Sequence, residues 1–285
     1  MLSRSGTNTL SERMNRRSWA ERLFSSEGNL LFYHVLIFIA FVAMWKSLTT
    51  FNIMSPFFVG DPFVVFQRIV GWFTSGTIFR HLWVTLVETV VAFLIGSGLG
   101  LLAGLWLGLS DAASRLASPY LKGLNAMPRV ILAPIFSVWF GLGMTSKIAL
   151  GITLVFFVVF FNVYQGVKEV SPVTLANARM LGASRRQLLR SVYIPSATSW
   201  VFSSLHAAVG MAFVGAVIGE YMGSAAGVGY LILQAEGLFD INGVFAGVLL
   251  LTFFAIALDA VVTVIERRLL HWQPRHSETV SGAER

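Results

Sequence analysis

The sequence predicts an all-α integral membrane protein with about six transmembrane helices, and three observations carry that reading. Apolar residues make up 55% of the 285-residue chain and charged ones only 12%, outside the range of a water-soluble domain. The apolar residues gather into six runs, each near the roughly 20 residues that a helix needs to cross hydrocarbon. Lys and Arg concentrate on alternate connections between those runs, as positive-inside sorting requires.

The runs cover 31–49, 82–109, 126–146, 148–167, 198–220 and 244–265. Segment 1–30 is cationic, and the run after it is long and has no small-residue cleavage site, so it reads as a retained span behind a cytoplasmic tail. Between the first two runs, residues 55–80 hold Pro56, Pro62 and the stretch V-V-F-Q-R-I-V-G-W-F, which suggests an extended piece leading into an interfacial amphipathic helix. In the second run Gly96, Gly100, Gly104 and Gly108 recur every four residues and form a stripe where another backbone can approach closely, within the subunit or between two subunits. The third run contains Pro128 and Pro134, and a Gly-Met-Thr-Ser-Lys turn separates it from the fourth.

With the N-terminus in the cytoplasm, Arg115, Lys122, Arg129, the basic residues of 168–197 and the tail 273–285 all fall on the same side. Of 21 Lys and Arg residues, only Lys46, Arg68, Arg80 and Lys147 remain outside. Both termini are then cytoplasmic. The net charge of +7 reflects topology and anionic lipid, with no need for nucleic acid as a partner.

The polar island 168–197 interrupts this lipid-soluble text. Ser171 before Pro172 reads as a helix start, the serine accepting from an orphan N–H and proline losing a donor that had no partner. Gly182 supplies a left-handed stop. Ser184 and Gln187 have capping-box spacing, which predicts a second helix from Arg185 to about Ile194, ending before Pro195. A bare connector between spans needs only a few residues, so a shaped segment of this length points to a docking surface.

Ionisable residues inside the runs are few: Glu88, His206, Glu220 and Asp259. A charge in hydrocarbon is expensive and normally faces a bundle interior or a watery path. Glu88 sits near the outer end of its run and suits either a pathway or an interface role. His206 reads as hydrogen-bonded structure or as a ligand. Glu220, before a glycine-rich turn, fixes that turn by accepting backbone N–H groups or takes part in gating, and Asp259 pairs with Arg267, Arg268 or a neighbouring helix.

Other chemistry fails on residue type and spacing. The chain has no cysteine, and its five histidines (His34, His81, His206, His271 and His276) form no metal-ligating pair, so no metal site is expected. No serine lies in a G-x-S-x-G elbow. The nearest approach to a phosphate-cradling loop, Gly141 to Lys147, lacks both the glycine before the lysine and the hydroxyl after it.

The wording of the island carries a family resemblance. From Ala176 to Pro195 it reads A-N-A-R-M-L-G-A-S-R-R-Q-L-L-R-S-V-Y-I-P, which resembles the cytoplasmic loop shared by the membrane subunits of binding-protein-dependent ABC importers. Gly182 holds the motif's glycine, and Val192, Ile194 and Pro195 hold its downstream positions. Ala176 and Asn177 depart from it, standing where the family prefers Glu and Ala. Residues 124–143, Gly219, Glu220, Gly227-Val228-Gly229 and the closing E-R-R-L-L-H-W from Glu266 to Trp272 are similar to the nitrate, sulfonate and taurine branch. The likeness spans roughly 30–272.

That resemblance implies a fold like the type I ABC importers, with 31–272 as the permease domain and 168–197 as the coupling loop of an inner-membrane homodimer. The loop's first helix would sit in a groove of a cytoplasmic ATPase, present in two copies and using the ATP and Mg that this chain does not bind. Ala176, Ala178 and Gly182 would permit close seating, Leu175 and Leu181 would anchor, Arg179, Arg185 and Arg186 would meet acidic residues, and Asn177, Ala183 and Pro195 complete the loop. A second permease copy, a solute-binding protein and lipid complete the expected partners. The implied cargo is a small anion such as a sulfonate, taurine or nitrate, with pyrimidine or other aromatic solutes as the alternative. From other classes, a membrane enzyme would need carboxylates or His with Ser clustered on one face, and a channel would not need a shaped loop.

Overall fold

A computed structural model describes residues 27–269, all helix and connection among those residues. Most of the predicted N-terminal tail and all of the C-terminal one lie outside the described residues, as do His271 and Trp272 of the closing motif. The fold divides between Gln67 and Arg68 into two compact units.

The first unit holds α1 (Glu27–Thr50), α2 (Pro56–Val59) and the start of α3 (Pro62–Thr74). Pro56 opens α2 at a position where a lost N–H costs nothing, and Ser55 caps it by accepting from Phe57 N. The connection folds back on the end of α1: Trp45 Nε1 donates to Val59 O at 3.1 Å, and Lys46 Nζ meets Asp61 Oδ2 at 2.5 Å.

The second unit is built on α4 (Thr77–Leu109), α7 (Met144–Lys168) and α10 (Ile194–Met222), with α11 (Val228–Gly237) and α12 (Ile241–Leu269) beside them. The glycine stripe of α4 lies against α7: a Cβ on Gly100 would fall 2.7 Å from Phe156 O, and one on Gly104 2.9 Å from Phe160 O. Val155, Val159 and Val163 of α7 fill the seam and are wholly buried, joined by Ala92, Ala208 and Ala212. Lipid tails are as apolar as these side chains, so close backbone approach and dispersion hold the helices together where the hydrophobic effect cannot. A second cluster, Ile78, Val228, Ile232, Leu250 and Leu251, packs α11 between α4 and α12.

Among the described residues, five helices are long and apolar enough to cross a membrane. The third run departs from its expected single span over 126–146. In its place α5 (Asp111–Ala126), ahead of the run, is followed by the segment Arg129–Phe140 that ends in α6 (Leu132–Phe140), and the two are bent by 76° to one another. Pro128 explains the break, because it forces Met127 into extended backbone (ψ 130) and cannot donate to the preceding turn. Arg129 braces the corner, its guanidinium lying 4.3 Å from the Phe157 ring centroid and donating to Asn125 Oδ1 at 2.5 Å.

The island also differs in part. Helix α8 (Pro172–Met180) begins as expected at Pro172, but the Ser171 side chain makes no cap hydrogen bond. Gly182 takes φ +81, and Ala183 N reaches back to Ala178 O at 3.0 Å, a glycine-ended helix terminus. Both halves of the Ser184–Gln187 capping box are present at the start of α9 (Arg185–Leu188). That helix does not stop before Pro195. It passes through a π turn, Leu189–Tyr193, straight into α10, with Ile194 N bonded to Leu189 O. The wider turn leaves room for the Pro195 ring and for the hydrogen bond that its missing N–H cannot make.

Candidate functional site

Two places gather the chain's functional side chains: the island surface and a polar knot between α4, α7 and α10. The island is tethered through the end of α7, where Lys168 Nζ meets Asp111 Oδ1 at 2.6 Å and Gln165 Nε2 donates to Glu169 Oε1 at 2.8 Å. From that base α8 projects with no buried residue. Leu181 is 89% exposed, Met180 86% and Val173 67%. Leu175, expected as an anchor, is half-buried with Ala178 on the inward side, and Val173 and Met180 lie on the open face. Spacing explains the arrangement, since positions 173, 176, 177 and 180 share one helical stripe and 175 and 178 fall on another.

Arg179, Arg185 and Arg186 are exposed and make no salt bridge among the described residues. Asn177 and Ala176 are also open to solvent, and space around Gly182 is free to 4 Å from an added Cβ. Bare Met, Leu and Val beside unpaired guanidinium groups make a surface fitted to a partner with a small apolar socket and an acidic rim.

The knot is buried. Glu220, on the last turn of α10, accepts from Thr85 Oγ1 at 2.6 Å through Oε1 and from Gly229 N at 2.7 Å through Oε2. Thr85 in turn accepts from Val228 N at 3.1 Å, and Gly227 N donates to His81 Nδ1 at 3.1 Å. These bonds clamp the turn between α10 and α11. Gly227, at φ +111, lies so close to the Glu220 carboxylate that no Cβ fits between them.

Lys147 completes the knot. The basic-residue count placed it on the outer side; its side chain is wholly buried, and Nζ donates to Leu142 O at 2.7 Å and Gly223 O at 2.5 Å. Glu88 is 1% exposed, three turns into α4, so the interfacial reading of it does not hold. Its charged neighbours are Glu220 and Lys147. Sequence reading missed Lys147, Thr85 and His81. The available signal was Lys147 itself, a cation directly ahead of the most valine- and phenylalanine-rich run, with Ser146 beside it.

His206 and Asp259 form a separate pair, Nε2 to Oδ1 at 3.0 Å, joining α10 to α12. Asp259 therefore pairs across helices with histidine; the Arg267 alternative concerns a side chain outside the described set. Among the described residues, no cluster of His, Cys, Asp or Glu could hold a metal ion.

Comparison with known proteins agrees with this architecture. The profile described as "Binding-protein-dependent transport system inner membrane component" matches residues 96–271. A Bacillus subtilis (strain 168) protein named for aliphatic sulfonates transport is 31% identical over 232 residues, covering 81% of this chain and 84% of the relative. The formylaminopyrimidine transport permease protein of Halalkalibacterium halodurans is 29% identical, covering 84% and 95%. The taurine transport system permease protein of Escherichia coli (strain K12) is 27% identical, covering 81% and 86%. Among solved structures, an amino acid ABC transporter has a like fold, with TM-score 0.56, 20% identity, and coverage of 68% of this chain and 95% of the other. Family match, sequence relatives and helical architecture converge: the chain belongs to the binding-protein-dependent transport permeases, as a multi-pass inner-membrane subunit of an ABC importer.

Proposed function

We propose that two identical copies of this chain enclose a path through which a small anion, such as a sulfonate, taurine or nitrate, passes from an external solute-binding protein into the cytoplasm. The observation that carries the mechanism is the bare island surface: Val173, Met180 and Leu181 exposed beside Arg179, Arg185 and Arg186. In this reading the island faces the cytoplasm, as do both termini, and α8 seats in a groove on each of two ATPase subunits. Those subunits hold ATP and Mg; the permease holds neither and contributes force transmission. Relatives named for aliphatic sulfonates and taurine support the anionic cargo. A second reading, a pyrimidine or other aromatic solute, draws on the relative named for formylaminopyrimidine.

Gly182→Asp separates coupling from folding. Its surroundings are open, so the variant's only native-state cost is a left-handed backbone at a residue type that tolerates it, while a carboxylate now stands where an acidic-rimmed socket would close. Cells carrying the permease with its partner genes and this substitution should insert the protein normally and lose uptake of labelled taurine or alkanesulfonate. Full uptake by the variant would reject the docking role. Uptake of labelled pyrimidine alone by the unaltered system would replace the anion with the second reading.

A further inference from the structure

A cation without a counter-charge stands level with the middle of α7. The basic-residue count groups Arg129 with the cytoplasmic cations, yet its guanidinium carbon lies 4.3 Å from the ring centroid of Phe157, the fourteenth of the 25 residues of α7. At 1.5 Å per residue, that position is about 20 Å from one end of the helix and about 17 Å from the other. Arg129 opens the second arm of the bent pair, so the break at Pro128 brings it to this depth.

Other cations in or between the apolar runs are already committed. Lys46 is paired with Asp61, and Lys147 is wholly buried and spent on two carbonyls. Arg129 makes no salt bridge among the described residues. Its Nη2 donates to Asn125 Oδ1 and O, Nη1 makes no hydrogen bond among the described residues, and Nε is enclosed without an acceptor. Bracing the corner thus occupies one nitrogen of three and one face of the plane. A charge at this depth is expensive and is kept where it borders a watery path or meets an opposite charge. Arg129 is partly exposed, unlike Lys147, so an acceptor from outside the chain can reach it.

We infer that Arg129 reads the charge of the solute: Asn125 and the Phe157 ring hold its guanidinium in place, and the remaining edge receives the oxyanion group of the cargo midway across the membrane. The inference rests on the anionic cargo proposed above. A guanidinium presents its donors in a planar fork that matches a pair of oxygens, and it stays charged across the physiological pH range. The other polar pair of the spans, His206 with Asp259, carries its own acid and does not attract an anion.

The test uses cells carrying the permease with its partner genes. Arg129→Gln should insert normally and take up labelled taurine or alkanesulfonate about tenfold more slowly, the effect of losing one charged hydrogen bond, and Arg129→Lys, which keeps the charge, should lose less. Because the chain has no cysteine, Arg129→Cys adds a readout independent of transport. In membranes of these cells it should react with a water-soluble cationic methanethiosulfonate and with an anionic sulfonate counterpart, and only the cationic adduct should restore uptake. Failure of both reagents to react, equal restoration by both, or full uptake by Arg129→Gln overturns the inference and leaves the anionic cargo standing. An unaltered system that takes up neither anion rejects the cargo reading and this site with it.

Discussion

At the scale of single residues, Lys147 illustrates what a linear reading can and cannot see. A lone cation at the start of an apolar run usually extends its head to the interface, and hydropathy alone assigns it there. What reverses the assignment is tertiary: Gly219 of α10 leaves no Cβ in the way of the lysine stem, which would lie 2.8 Å from one, and the Leu142 and Gly223 carbonyls converge on Nζ. None of these three neighbours is within a helix turn of Lys147 in sequence, so the local residues flag an unusual cation without showing what holds it. Lys147→Met should destabilise the protein by about 3–5 kcal/mol, the usual cost of leaving a buried carboxylate without its counter-charge. Thermal unfolding in detergent checks this, and a change within measurement error would mean that the lysine is spare. Gly182 and the Ser184–Gln187 pair lie at the legible extreme, because capping and left-handed stops are decided by a few adjacent residues.

At the scale of elements, the helices were legible wherever composition alone determines them and obscure at Pro128 and Pro195. The glycine stripe is readable because its period matches the helix, and its counterpart, the α7 valines, is equally regular. Gly100→Val should push α4 from α7 and cost about 1–3 kcal/mol, the range for overpacking a tight contact, seen as a lower melting temperature. The same exchange at Gly98, where an added Cβ meets nothing within 4 Å, should leave the melting temperature near its starting value. Proline is ambiguous in one dimension. Pro128 bends its run by 76°, whereas Pro195 is threaded into a helix that carries on, and the difference lies in the π turn that precedes it. Nothing within the residues Leu189–Tyr193 signals that widening, which makes room for the proline that follows them.

At the scale of the whole molecule, absence of cysteine makes sidedness directly measurable. A single cysteine at Met180, 86% exposed, should react with a membrane-impermeant maleimide only in inverted vesicles, and one at Asn52 only in intact spheroplasts. Labelling of both from the same side would overturn the assigned topology. Membrane insertion and the island's existence could be read from composition and charge distribution, because these are sums over many residues. Which helices meet could not, because lipid removes the pattern of polar and apolar faces by which soluble helices declare their partners.

The unbroken passage from the island into α10 has a further consequence. The helix Ile194–Met222 has 29 residues and is about 44 Å long at 1.5 Å per residue, and it is continuous with α9 through a hydrogen-bonded π turn. Its near end carries the basic surface and its far end carries Glu220 and the Gly223 carbonyl. In the mechanism proposed above, a few degrees of rocking imposed at the basic end would become ångströms of travel at the other. The clamp on the α10–α11 turn would then be the load on a lever, and the energy of its hydrogen bonds would set how hard the proposed motor subunits must push.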